Sequence, residues 1–217
     1  MSSTRALGEA ILSRHANLSL LINNAGMFDT RRILTPEKRE RVLATNLLSP
    51  VLLSQMLLPA LAAGAPSRIV NIGSSTSDRA RIDPEHLELG DSWSMRRAYA
   101  QSKLALMMAT FAISNRTRGT GMVANVVHPG LVATGLVKAR GAIGLAWRCL
   151  APFALTSEQG AASALFAALS PRMSEVTGVY IKNRLIAAPN PLALDAVLVD
   201  RVWTATQGLI AATRDAR

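Results

Sequence analysis

Hydrophobic positions along this chain follow two patterns. The first is a set of short apolar runs that end in turn residues. Leu18, Leu20, Leu21 and Ile22 precede Asn23-Asn24-Ala25-Gly26, and Ile69, Val70 and Ile72 lie within RIVNIG. Val123, Val126 and Val127 precede His128-Pro129-Gly130, and GVYIK at residues 178–182 forms a fourth run. Runs of this length bounded by Gly, Pro and Asn predict buried strands. The second pattern has helical spacing. Leu7, Ile11 and Leu12 predict a short amphipathic helix over residues 4–15. A proline at a first-turn position predicts a helix from about Pro36, running through Asn46 toward Leu61, with a kink at Pro50. Further helices are predicted over residues 95–118, ended by Gly119, and over 158–169 and 192–211. Residues 75–93 and 130–156 read as loops.

Apolar strands alternating with helices predict an α/β fold, a doubly wound parallel sheet with helices on both faces. In such sheets ligands bind at the carboxyl ends of the strands. The small and polar residues that follow the strands are Asn23 to Gly26, Ser74-Ser75 and Pro129-Gly130. They are expected to converge on one edge.

Candidate chemistry falls at that edge. Tyr99 and Lys103 are four apart on a predicted helix, one turn from each other on the same face. A phenol is a poor acid or base near neutrality, and a neighbouring ammonium lowers its pKa, so the pair suits general acid/base work. Alone, two fixed residues are a weak pattern, and the same spacing reads more readily as a surface pair of no consequence. Ser74 ends the RIVNIG strand, where a hydroxyl can donate to a substrate carbonyl or simply close a turn. Asn46 is a mid-helix asparagine in an apolar helix, a mildly unfavourable placement that invites a reason. Gly26 lets backbone approach a ligand closely.

Composition trims the alternatives. The chain has 217 residues, 49% of them hydrophobic, enough for one core, and it is read as a single domain over 1–217. The net charge of +10 raises nucleic-acid or anionic-membrane binding. The basic residues are scattered, however, and aromatics are only 4%, which argues against a nucleic-acid partner. One cysteine, Cys149, excludes an intrachain disulfide and fits a reducing compartment. The histidines His15, His86 and His128 show no metal-ligand spacing, so no metal is expected. The first residues lack a signal-peptide core, and no uninterrupted apolar run reaches the ~18–20 residues of a membrane span. The expected location is cytoplasmic. The apolar stretch over 143–155 reads as a substrate lid, with peripheral membrane contact as the other reading.

The residues in order are specific: NNAG at 23–26, Asn46 within TNLLSP, NIGS at 71–74, YAQSK at 99–103 and HPGLVAT at 128–134. This series resembles the short-chain dehydrogenase/reductase family over nearly the whole chain. The long insert between Ser74 and Tyr99 and the RRAYAQSKLA context look most like its retinol dehydrogenase-like branch. The resemblance implies a Rossmann-like fold and reversible hydride transfer between NAD or NADP and a small-molecule carbonyl or alcohol. An apolar segment favours a lipophilic one. It implies Tyr99 as general acid/base and Lys103 as the lysine that lowers the tyrosine pKa and binds the nicotinamide ribose. Ser74 becomes the residue that orients the substrate oxygen, and Asn46 the holder of a relay water. Asn24, Ala25 and Gly26 are implied to line the adenosine side of the cofactor, with Asn23 structural. Pro129, Gly130 and Thr134 are implied to cradle the nicotinamide. Homo-oligomer contacts are within the family's habits.

One departure stands out. The family opens with a strand, a TGxxxGxG turn and a helix that bind the pyrophosphate, and this chain has no such turn ahead of Asn23; Gly8 is the only glycine there. The chain therefore reads as a Rossmann-like domain lacking its first βαβ cofactor-binding unit, with Met1 an internal start of a longer parent. The strand near residues 18–22 is expected to become an exposed edge, and the helix over 4–15 to lose part of its platform. The alternative reading is a truncated, inactive family member that acts as an interaction protein or needs the missing segment.

Overall fold

In a computed structural model, which describes residues 1–132 and 155–213, the apolar runs become strands that pair in sequence order. They are β1 (Leu20–Asn23), β2 (Ser67–Ile72), β3 (Met122–His128), β4 (Tyr180–Lys182) and β5 (Leu185–Ala187). β1 to β4 are parallel, and β5 turns back antiparallel on β4. The helices are α1 (Ser2–Leu12), α2 (Arg41–Ala63), α3 (Met95–Arg116), α4 (Ser157–Leu169) and α5 (Ala196–Ala211).

The two-residue period of the strands sorts the core onto two faces. Ile69, Ala124, Val126 and Tyr180 point to the side occupied by α2 and α3. Val70, Ile72, Val127 and Ile181 point to the other, where they meet Ala167 and Ala168 of α4 and Met173. Helix α3 is buried almost all round, with Leu104, Met107 and Met108 fully enclosed, because α2, α5 and the sheet surround it. Each such side chain removed from water stabilises the fold by roughly 1.5–3 kcal/mol before entropy is counted. Helix α2 is 23 residues long and its most apolar 18-residue stretch has a mean hydropathy of 1.5, long and apolar enough to cross a membrane. Val42, Leu43, Leu47, Leu48, Val51, Leu57 and Leu61 are nevertheless buried in the protein's own core. Interrupted by Asn46 and Gln55, it lacks the uninterrupted apolar run that the sequence reading looked for.

Several elements depart from expectation for definable reasons. Helix α2 begins at Arg41, not near Pro36, because residues 35–39 form a tight turn with Lys38 at φ +57°. Glu40 then caps the helix, its carboxylate accepting from the N–H groups of Val42 at 3.1 Å and Leu43 at 2.7 Å. At Pro50 the helix does not simply kink. A π-helical turn over Ala44–Leu48 precedes the proline, with the Ser49 N–H donating to the Ala44 carbonyl five residues back. Strand β5 was missed because the signal is a two-residue turn without glycine. Asn183 and Arg184 both adopt positive φ, +48° and +62°, as a tight hairpin requires.

The edge expectation holds among the described residues: β1 pairs only with β2, and Ile22 is 37% exposed. The expected loss of a platform under α1 is half right. Gly8 lies against Met56 of α2 and Ile11 joins the core, since a Cβ on Gly8 would sit 2.6 Å from the Met56 methyl. Leu7 and Leu12 stay exposed.

Candidate active site

Because β1, β2 and β3 run parallel in the register Asn23↔Asn71 and Ile72↔Val127, their carboxyl ends open on one edge. Residues 24–26, 74–75 and 129–130 meet there, as the alternation predicted. Helix α3 starts beside this edge, its N-terminus capped by Ser94, and carries Tyr99 and Lys103 on consecutive turns. Lys103 is 3% exposed, and its Nζ donates to the Ile72 carbonyl at 2.7 Å. That nitrogen lies 5.9 Å from the centre of the Tyr99 ring. Phe28 packs edge-on against the same ring, with centroids 5.3 Å apart. Ser74 sits at the end of β2, its Oγ accepting from the Thr76 N–H and hydroxyl.

Burial dominates the electrostatics. It pushes the Tyr99 hydroxyl above its ordinary pKa, while the hydrogen bond with Ser74 pulls the other way. It lowers Lys103 to about 8, because an ammonium loses its hydration there. The expected lowering of the tyrosine by the lysine is therefore not the leading effect, for Nζ is drawn to the Ile72 carbonyl. Burial likewise lowers His128, whose Nδ1 accepts from the Ser75 N–H at 3.2 Å.

Asn46 is fully buried inside the π-helical turn. Its Oδ1 accepts from the Met27 N–H at 2.8 Å, and its Nδ2 donates to the Met27 carbonyl at 2.9 Å and to Ser102 Oγ at 3.0 Å. Ser102 Oγ in turn donates to the Tyr99 carbonyl. The side chain thus ties the loop after β1 to the helix that bears Tyr99. Both amide protons are engaged.

Gly26 lies over this junction: a Cβ there would be 3.4 Å from Lys103 Nζ and 3.6 Å from Asn46 Oδ1. Asn24 and Ala25 are exposed at the strand end. Asn23 is part of the framework, donating to Asn71 Oδ1 at 2.7 Å and to Ser54 Oγ at 3.1 Å, while Asn71 donates to Thr110 Oγ1. Pro129 and Gly130 follow β3, and Gly130 takes φ +91°, a conformation suited to glycine. Thr134 lies outside the described residues, as do Cys149 and most of the apolar stretch over 143–155. Two groups escaped the sequence reading. One is the Asn23–Asn71–Thr110 ladder, whose only signal was polar residues inside apolar runs. The other is the ion pair of Asp78 with Lys182, whose ammonium lies 4.9 Å from the Tyr180 ring centre.

A mostly parallel α/β sheet with a tyrosine, a buried lysine and a serine at its carboxyl edge defines a Rossmann-like ligand-binding protein. The sequence model of the short chain dehydrogenase family matches residues 1–142, and the chain belongs to that family. It is similar to human (Homo sapiens) retinol dehydrogenase 12, with 32% identity over 208 residues covering 96% of this chain. The chain spans 66% of that relative's length, just under two thirds. Among solved structures, an uncharacterised protein of Mycobacterium paratuberculosis shares the fold with a TM-score of 0.75, 24% identity, and coverage of 97% of this chain and 72% of its own. A short chain dehydrogenase of Burkholderia cenocepacia in complex with NADP has a TM-score of 0.63, 25% identity, and coverage of 83% and 70%.

Proposed function

We propose that this chain carries the proton-transfer half of an NAD(P)-dependent oxidoreductase site that interconverts a carbonyl and an alcohol. The observation that carries the reading is the convergence of Ser74, Tyr99 and Lys103 at the sheet edge, with Gly26 close above the lysine. The NADP held by the Burkholderia relative and the lipophilic alcohol in the name of the human one support the cofactor and the substrate class.

The residues present fit the nicotinamide-ribose part of such a cofactor. An ammonium carries three protons, and the buried Lys103 Nζ directs one to Ile72, which leaves donors for ligand oxygens. Gly26 and Gly130 keep backbone low where a ring would lie. The pyrophosphate part has no glycine-rich turn in this sequence to receive it. When bound, the nicotinamide supplies or accepts the hydride. Tyr99 gives its hydroxyl proton to the substrate oxygen in reduction and takes one from the alcohol in oxidation. Ser74 donates a hydrogen bond to that oxygen and holds it against Tyr99. Lys103 stabilises the phenolate left behind, and the phenolate in turn offsets the desolvation of the ammonium. With the Asn46 amide protons engaged, a relay water at this position would be held by the main-chain carbonyl. Pro50, four residues on, has no N–H to give that carbonyl.

The test is a fluorescence titration with NADPH and NADH, followed by turnover of a lipophilic aldehyde. Saturable binding with turnover that Tyr99→Phe removes upholds the reading. No binding by a folded, monodisperse sample overturns it. That result favours the second reading, in which the open edge of β1 is paired by another chain.

A further inference from the structure

Resting on the oxidoreductase reading, we infer that the substrate carries an anionic group, a carboxylate or a phosphate, held by arginines on the outer wall of the Tyr99 cavity. This cavity, of about 1150 Å³, opens from Tyr99 and Phe28 over the turns after β2 and the start of α3. Its wall holds Arg79, Arg81, Arg96 and Arg97, all exposed. Two acids also line it: Asp78 pairs with Lys182 through Oδ2 while its Oδ1 is buried without a hydrogen-bond partner, and Asp83 pairs with His86. Among the described residues, none of the four arginines has an acidic partner. Arg97 donates to the Ser92 carbonyl at 3.0 Å.

Arg96 and Arg97 are also badly placed for the fold itself. They occupy the first turn of α3, where no acidic residue stands. The N-terminus of a helix carries partial positive charge, so cations there oppose it. An anion seated among the guanidinium groups removes that conflict and takes the fork-shaped hydrogen bonds arginine offers to carboxylates and phosphates. The same lining includes Ala80 and Ile82, which suit an apolar stem. The substrate is then an amphiphile: carbonyl or alcohol at Tyr99, apolar stem along the wall, anionic head at the mouth.

The test compares the wild type with two variants, R79Q/R81Q and R96Q/R97Q, whose altered side chains are exposed. Octanoate, octyl phosphate and the neutral octanamide are titrated calorimetrically without cofactor, at low and high salt. At least one anion is expected to bind the wild type and to weaken about tenfold or more in a variant, with a smaller gap at high salt and no change for octanamide. Whichever anion binds more tightly names the head group. Equal affinity of all three probes for wild type and variants overturns the inference. A fall in NADPH affinity in the variants also overturns it, because the arginines would then belong to the cofactor. In turnover, suberic semialdehyde is expected to exceed its methyl ester in kcat/KM in the wild type, and to lose that advantage in the variants. If a wild type that binds octanoate turns over neither aldehyde, the oxidoreductase reading fails while the anion site stands.

Discussion

Replacing Asn46 by alanine separates a structural part for this residue from a purely catalytic one. The side chain is fully buried and makes three hydrogen bonds, two to the Met27 main chain and one to Ser102. Alanine leaves the Met27 N–H and carbonyl without their partner. A buried group stranded in this way costs about 1–3 kcal/mol. Met27 is only partly buried, so water recovers some of that, and Ser102 keeps its bond to the Tyr99 carbonyl. The expected loss is about 2–3 kcal/mol, which for a chain of this size lowers Tm by roughly 4–12 °C. Urea unfolding followed by far-UV circular dichroism reads the change, with the m-value checking that the denatured state is unaltered. NADPH affinity should fall in parallel, because the Gly26 turn that this amide tethers loses its anchor. A loss below about 0.5 kcal/mol, with turnover abolished, would refute the tether and leave only a relay role.

Other perturbations test neighbouring parts of the reasoning. Tyr99→Phe removes the proton that reaches the substrate oxygen and should lower kcat by about 10²–10⁴ with the circular dichroism spectrum unchanged; wild-type turnover would exclude Tyr99 as the acid. Gly64→Ala places a Cβ 2.3 Å from the Leu18 carbonyl oxygen, a backbone atom that cannot step aside. It should cost about 1–3 kcal/mol in urea unfolding. Lys103 titrates near 8 when folded and near 10.5 when unfolded, so between those values the unfolded chain binds more protons. Stability should therefore rise by up to about 3 kcal/mol as pH climbs through that window. Tyr99, raised by burial, opposes this above pH ~10. Lys103→Met should flatten the rise, and an unchanged pH profile would contradict the burial of the ammonium.

Much of the sheet was legible because its central strands β2 and β3 are buried on both faces and read as apolar runs, as does the less buried β1. The convergence of Asn23–Gly26, Ser74 and Pro129-Gly130 followed from parallel order alone. What escaped depends on contacts that no local pattern encodes. The late start of α2 is decided by Glu40, which turns inward to cap the helix at 2% exposure. The π-helical turn sets Asn46 against Met27 just ahead of Pro50, a placement no local pattern encodes. The true balance at Tyr99 was unreadable because spacing places Lys103 near it but does not say that the Ile72 carbonyl competes for the ammonium.

That competition bears on how the site is built. Lys103 is fixed to β2, Asn46 to the loop after β1, and Asn23 to Asn71 on the neighbouring strand. The first tie anchors α3 to β2, and the other two involve the edge strand β1 or the loop that follows it, so Tyr99 and Lys103 are placed by the inner strand and the edge strand together. Covering the edge should change how tightly a dinucleotide is held far more than it changes the pKa order of Tyr99 and Lys103, which burial under α2, α3 and the strand ends already sets.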